Sequence, residues 1–300
     1  MSTNSRQKSK SPDVSFVIPC YNSQDTIAST IESINAQSGD LTTEILVVDS
    51  SNHAEVRSQV EKFPHVRYIH NPVRLYPGQA RNLGARIVEG EFLAFVDSDV
   101  TLQENWLVRL YSRMLNTESI KGAGAVILNA NPNRLWSSIL YWMEFSEFLP
   151  GSSSGFRSFL SSSNLFIRRK VFLDSPGFDL YFAMSEDMLL SDFFKGRLYL
   201  DDTTSACHRH RSRRKEVLRH LNRLGFWAGR MRASGIGRGG FLVKMRWLCA
   251  ALPFYRTGIV LKRVIRTNPG RAIWVILLSP VLFWASCRWA AGFYQGLEKK

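Results

Sequence analysis

The chain has 300 residues, 45% hydrophobic and 21% charged, with a formal net charge of +14. That apolar content is enough for a sizeable core and is inconsistent with a disordered polyelectrolyte. The four cysteines, Cys20, Cys207, Cys249 and Cys287, form no Cys-x-x-Cys pair, so they indicate neither a disulfide framework nor a zinc ribbon and fit a reducing compartment.

Residues 1–12 are polar with basic side chains and no apolar run, and read as a disordered lead-in rather than a secretory signal. Val14-Ser15-Phe16-Val17-Ile18 then reads as a strand, followed by Pro19. Residues 23–37 read as a helix with Ile27, Ile31 and Ile34 on one face and Ser23 as N-cap. A second strand, 44–48, ends at Asp49, and a short helix over 54–62 leads to a third strand at 66–69. A helix over 78–88 precedes the apolar strand Phe92-Leu93-Ala94-Phe95-Val96, and a helix over 102–115 precedes a strand at 122–128. Alternating strands and helices predict an α/β fold: a doubly wound, mostly parallel sheet flanked by helices. Residues 135–149 are unusually aromatic, and 150–155 are loop-like.

The chain changes character after Cys207. From there to Lys300 it carries 20 Lys and Arg against 2 Asp and Glu, a surface suited to a polyanion. Residues 215–232 form a basic helical pattern with an apolar stripe of Val217, Leu221, Leu224, Ala228 and Met231, as in a helix lying on an anionic bilayer. Residues 272–294 are apolar except for Arg288, contain Pro280, and approach the ~20 residues of a span, so they fit a span or an interfacial insertion. Five tryptophans between Trp227 and Trp289 suit interfacial anchoring. The expected organisation is a globular body over 13–211 and a basic, helical, membrane-associating region over 212–300, at the cytoplasmic face of the cell membrane.

The densest chemical signal is Asp97-Ser98-Asp99, directly after the buried-type strand. Open α/β sheets bind ligands beyond the carboxyl ends of their strands. Two carboxylates one residue apart repel unless a cation lies beside them. Hard oxygen ligands suit Mg²⁺ or Mn²⁺, which commonly share coordination with phosphate oxygens. The triplet therefore points to an enzyme handling a nucleotide diphosphate.

Five constellations follow in order: Asp49 at the end of the second strand, Gly78-Gln79-Ala80-Arg81-Asn82 opening a helix, the Asp97/Asp99 pair, Ser185-Glu186-Asp187, and His208-Arg209-His210-Arg211. With the opening Val17-Ile18-Pro19-Cys20-Tyr21-Asn22, this ordered set resembles family 2 of the nucleotide-sugar glycosyltransferases, of the GT-A fold, over residues 13–211. The resemblance implies that Asp49 accepts a hydrogen bond from the nucleobase, with Ser50 departing from a second acid common there, and that Pro19 and Tyr21 shape the turn beneath the base. It implies that Asp97 contacts the ribose side and that Asp99 ligates the metal, Mg²⁺ or Mn²⁺. One of His208 and His210, His208 being favoured, completes the metal site or meets the diphosphate. Arg81 and Asn82 fall where the family binds nucleotide or diphosphate. Asp187 matches the proposed general base, Glu186 supports the loop or touches the acceptor, and Asn164 lines the sugar pocket.

The expected activity is inverting transfer of a sugar from a nucleotide-diphosphate donor, a UDP-sugar favoured, to a hydroxyl of a glycan or lipid-linked acceptor, beside an anionic membrane surface and without nucleic acid. Transfer to a polyprenyl phosphate is the alternative within the enzyme class. Noncatalytic binding of nucleic acid or membrane through the basic tail is the alternative from another class.

Overall fold

The inner strands are apolar on both faces, so each needs a helical layer above and below. A computed structural model describes residues 11–298 apart from Ser38 and Arg238; the expected lead-in lies, up to residue 10, outside the described residues. The strands are β1 (Val14–Cys20), β2 (Thr43–Asp49), β3 (Arg67–His70), β4 (Phe92–Val96), β5 (Val100–Leu102), β6 (Gly122–Asn129), β7 (Gly155–Arg157), β8 (Asn164–Arg168) and β9 (Leu198–His208). The helices are α1 (Ile27–Asn35), α2 (Glu55–Val60), α3 (Pro77–Ile87), α4 (Trp106–Asn116), α5 (Leu135–Phe145), α6 (Arg169–Leu173), α7 (Glu186–Phe193), α8 (Arg214–Ala233), α9 (Leu252–Thr267), α10 (Ala272–Leu277) and α11 (Ser279–Gly296). The first helix starts later than the pattern suggests: Thr26 is its N-cap, and the Ser23 carbonyl accepts from the Thr26 and Ile27 amides.

One sheet runs β3-β2-β1-β4-β8-β6-β9-β5, with β7 paired to β9. The β3-β2-β1-β4 half is parallel, as is the β6/β9 pair. The β4/β8, β6/β8, β5/β9 and β7/β9 pairs are antiparallel. Among the described residues the sheet is therefore mixed, with four strand pairs parallel and four antiparallel. The reason is β8, inserted antiparallel between two parallel groups, and the long β9 with its edge partners, neither of which carries a strong strand pattern.

Period-two alternation divides the core. Phe16, Ile18, Phe92, Ala94 and Val96 face α1, α2 and α4 through Ile27, Ile31, Val56, Trp106 and Leu110. Val17, Leu46, Val48, Leu93 and Phe95 face the other side, which holds Ala80 and Ala85 of α3, the aromatic α5, and Val217, Leu221, Val264 and Leu282 of the C-terminal helices. The basic last third thus shares an apolar core with the catalytic body.

This packing corrects the picture of α8 as a bilayer-facing helix. Its stripe of Val217, Leu221, Ala228 and Met231 is buried, with α11 and α5 packed against the helix. Small residues permit the contact: a Cβ at Gly225 would collide with the Trp289 carbonyl, one at Gly229 with that of Phe293, one at Gly292 with that of Asn222, and one at Gly296 with that of Phe226. The two backbones meet directly, as small-xxx-small pairs allow. The 272–294 segment is split at Leu278, with Pro280 in the first turn of α11. Among the described residues no helix is long and apolar enough to cross a membrane. Most exposed apolar side chains of this region lie on the linking segments, α9 and α10, among them Trp247, Phe254, Tyr255, Ile273, Trp274, Ile276 and Leu277, with Trp284 and Tyr294 on α11.

Gly292→Val forces α8 and α11 apart and should cost at least ~1–3 kcal/mol in urea denaturation. Gly258→Ala, in open space on α9, should be neutral or stabilising by up to about 1 kcal/mol.

Candidate active site

The parallel strands β1, β2 and β4 deliver their carboxyl ends to one edge, with Cys20 in register with Asp49 and the Asp97–Asp99 turn leaving β4. The short β5 then carries the chain onto β9, pairing Val100 with His208. The Arg209 amide donates to the Asp99 carbonyl at 2.9 Å. This pairing, more than a hundred residues apart in sequence, puts His208 Nε2 3.6 Å from Asp99 Oδ1. Asp97, Asp99 and His208 each offer one ligand atom, all within 4.8 Å of one another. His208 Nδ1 is buried with no hydrogen-bond partner. Two carboxylates and one imidazole form a donor set that fits a divalent ion of the Mg²⁺ or Mn²⁺ type. Burial raises the Asp99 carboxyl above its usual range, opposed by the nearby His208.

The two histidines share a face, as an extended segment requires, and stack with centroids 4.4 Å apart. Their roles separate by depth. His210 is buried behind His208, against Tyr141 and Phe145, and its backbone is held on both sides by Asn131. Burial, with His208 adding to it, pulls His210 down to about 3, so the ring is neutral. Behind it, Glu144 is pushed up by burial but held at about 2 chiefly by His220, which bonds it at 2.5 Å.

Arg81 has a different place from the one the family resemblance implies. It is 2% exposed and not free to grip a phosphate. One arm bonds Asp97 Oδ1 and the other reaches Glu186 Oε1 at 2.7 Å. The Phe178 ring lies beneath the guanidinium. Gly78 allows this: a Cβ there would meet Glu186 Cγ at 2.9 Å. Asn82 is likewise structural, donating to the Phe178 carbonyl at 2.7 Å and accepting from its amide at 3.0 Å. Both residues leave the binding surface because α3 packs directly on the 177–187 loop.

Glu186 and Asp187 open α7 from Ser185, a non-glycine residue at φ 70°. Such left-handed backbone persists where surroundings hold it and is frequent at functional sites. Glu186 is buried by its ion pair with Arg81, so it supports the loop and does not present itself to an acceptor. Asp187 is half-buried and accepts from the Ser162 amide at 3.3 Å and hydroxyl at 3.5 Å. Burial first, and the adjacent Glu186 charge second, push its carboxyl up to about 7.

Asp49, at the end of β2, is fully buried and accepts three hydrogen bonds. Ser51 donates from its amide and hydroxyl to Oδ1, and the Tyr68 hydroxyl donates to Oδ2 at 2.7 Å. In this structure it shapes the strand end. Pro19 lies inside β1, opposite Val48, rather than in the turn. Tyr21 does lie in the turn, with the Arg74 guanidinium 4.2 Å over its ring. Asn164 is not in a pocket: at 2% exposure its Oδ1 accepts from the Ala125 amide at 2.7 Å and from the Trp106 indole at 3.4 Å, joining β8 to β6 and α4. Ser162, Arg74 and the Glu144–His220 pair escaped sequence reading. Only Ser162 left a signal there, as part of the Ser161–Asn164 polar run.

Residues 15–175 match the family model described as glycosyl transferase family 2. A succinoglycan biosynthesis protein, ExoO of Rhizobium meliloti, is 41% identical over 106 residues, covering 35% of this chain and 30% of that one. The Escherichia coli protein named UDP-Glc:alpha-D-GlcNAc-diphosphoundecaprenol beta-1,3-glucosyltransferase WfgD is 31% identical over 121 residues, covering 39% and 47%. The chain spans about a third of the length of the first curated relatives it matches. Among solved structures, the mannosyltransferase PcManGT of Pyrobaculum calidifontis, in complex with GDP-Man and Mn²⁺, superposes with a TM-score of 0.62 at 16% identity, covering 96% of this chain and 88% of that one. At that identity the likeness establishes the GT-A type of fold.

Arg81→Met strands two carboxylates and should lower stability by about 3–5 kcal/mol in urea denaturation. Pairing it with Glu186→Gln should recover part of that loss.

Proposed function

The chain belongs to glycosyl transferase family 2, and we propose that it is an inverting, divalent-metal-dependent glycosyltransferase that moves a sugar from a nucleotide diphosphate to the hydroxyl of a glycan or lipid-linked acceptor. One observation carries the reading: Asp97, Asp99 and His208 converge at the carboxyl edge of the sheet, and Arg81 ties that cluster to the loop bearing Asp187. Solved structures of the same fold type hold UDP and Mn²⁺ or GDP-Man and Mn²⁺, which supports a nucleotide-sugar donor, with UDP favoured by the donor in the WfgD name.

Asp99 and His208, with Asp97 beside them, are the residues that would hold the ion. Once bound, a divalent cation screens the diphosphate and supports its departure. Asp187 takes the proton of the acceptor hydroxyl as that oxygen attacks the anomeric carbon. Its basicity suits the task, because a carboxyl near 7 is deprotonated in about half the molecules at neutral pH and accepts a proton far more readily than an ordinary carboxylate. Arg81 holds Asp97 and Glu186 and so fixes the two ends of the cleft. The Tyr21–Arg74 stack offers a flat cationic face to the nucleotide.

The C-terminal region associates with the cytoplasmic face of the cell membrane. The exposed apolar residues around Trp247, Phe254 and Trp274 are interspersed with Lys244, Arg246, Lys262 and Arg266, the combination an anionic lipid surface attracts. This favours lipid over nucleic acid as the polyanion.

Asp187→Asn should reduce kcat by ~10²–10⁴-fold on a hydroxyl acceptor; near-full activity would argue for an already ionised phosphate acceptor. Because the carboxyl is raised, Asp187 is protonated and inert below about 7. The kcat/KM profile should therefore rise with pH through that region. Asp99→Asn and His208→Ala should each weaken Mn²⁺-dependent UDP uptake by calorimetry about tenfold or more. Absence of UDP, GDP or TDP uptake by the unaltered chain, with either metal, would overturn the reading.

A further inference from the structure

A groove of about 410 Å³ lies between α8 and α11, lined by Lys215, Leu218, Arg219, Asn222, Trp284 and Arg288. The four α8 residues recur at helical spacing and share one face. Trp284 and Arg288 are one turn apart on α11. The Asn222 amide donates to the Arg288 carbonyl at 3.2 Å and joins the two walls. Trp284 is fixed by Trp136 packed edge-on at 5.6 Å and by the Arg214 guanidinium over its ring.

The charge in this groove is unbalanced. Lys215, Arg219 and Arg288 converge on it, no carboxylate lines it, and among the described residues none of the three forms an ion pair. Arg113, Arg168 and Arg263, by contrast, each have an acidic partner. Three like charges flank an apolar floor of Leu218 and Trp284, and phosphate oxygens match the guanidinium fork. The groove also adjoins apolar surface. Trp284 lies in the second turn of α11, directly after α10, whose Ile273, Trp274, Ile276 and Leu277 are exposed. A cationic groove bordered by exposed apolar side chains fits a phosphate that carries a hydrocarbon chain. The same α8 begins shortly after His208, and its His220 is bonded to Glu144 behind the metal cluster.

We propose that the α8/α11 groove is a subsite for the phosphate headgroup of a membrane-embedded phosphorylated lipid. The proposal rests on the membrane-associated reading above and adds a headgroup class to it.

The test is vesicle flotation of the full chain. Phosphatidylcholine vesicles carrying phosphatidic acid, with an exposed phosphate monoester, are compared with vesicles carrying phosphatidylglycerol at matched surface charge. The unaltered chain should prefer phosphatidic acid by about 5-fold or more. Lys215→Gln/Arg219→Gln/Arg288→Gln should abolish that preference and weaken binding on the order of 100-fold, about 5-fold per charge near an anionic surface. Arg219→Gln alone should already reduce it. Arg223→Gln/Lys262→Gln/Arg266→Gln, which removes exposed cations elsewhere, should weaken binding to both lipids while keeping the preference. No headgroup preference, or equal loss of it in both triple variants, would leave only a generic basic surface and overturn the subsite. Tight calorimetric binding of inorganic pyrophosphate without vesicles, lost in the groove variant, would assign the groove to a soluble anion and overturn the lipid. Mn²⁺-dependent UDP uptake by the groove variants should be unchanged, so failure of the subsite stays distinct from failure of the transferase reading.

Discussion

The buried guanidinium of Arg81 is the constraint from which the arrangement of the cleft follows. A cation removed from water needs opposing charge with good geometry on each arm. Here one arm is matched by Asp97 at the end of β4 and the other by Glu186 at the start of α7. Those carboxylates are 89 residues apart in the chain, and each adjoins a residue with a chemical role: Asp97 is two positions from Asp99, and Glu186 is next to Asp187. One side chain thus sets the separation between the metal end and the base end of the cleft.

The same cluster explains its own electrostatics. Arg81 supplies one positive charge against Asp97, Glu186 and Asp187; burial first and the neighbouring carboxylates second raise Asp187 through Glu186 and Asp99 through Asp97. Farther along the chain the imbalance is reversed. The C-terminal helices are rich in cations, and among the described residues the three that line the α8/α11 groove form no ion pair. The molecule therefore separates a carboxylate-lined cleft suited to metal and diphosphate from a basic, partly apolar flank suited to lipid.

Close backbone contact holds the flank to the body. Gly225 and Gly229 on α8 oppose Gly292 and Gly296 on α11 so tightly that any side chain would collide. This buries the apolar stripe of α8 and leaves most of the exposed apolar surface on the linking segments, α9 and α10. An amphipathic pattern states that one helix face avoids water, and it does not say whether lipid or another helix covers that face.

The sequence by itself determined the local and periodic features. Apolar runs fixed β1, β2, β4 and β6, and helical spacing fixed α1, α3 and α4, because side-chain period alone decides which face is buried. The acidic pair at the end of β4, a carboxylate at the start of α7 and a histidine pair were legible as well, since strand ends and helix starts are where such groups do chemistry. Only the tertiary structure decided what each polar group faces. Arg81 and Asn164 have the composition of ligand-binding residues yet are struts, because α3 and β8 are covered on the sides that would have faced a ligand. His208 rather than His210 meets Asp99 because β5 pairs with β9, a register between distant segments that no local pattern encodes. Such pairings and the buried charges they bring together depend on the whole chain having closed on itself.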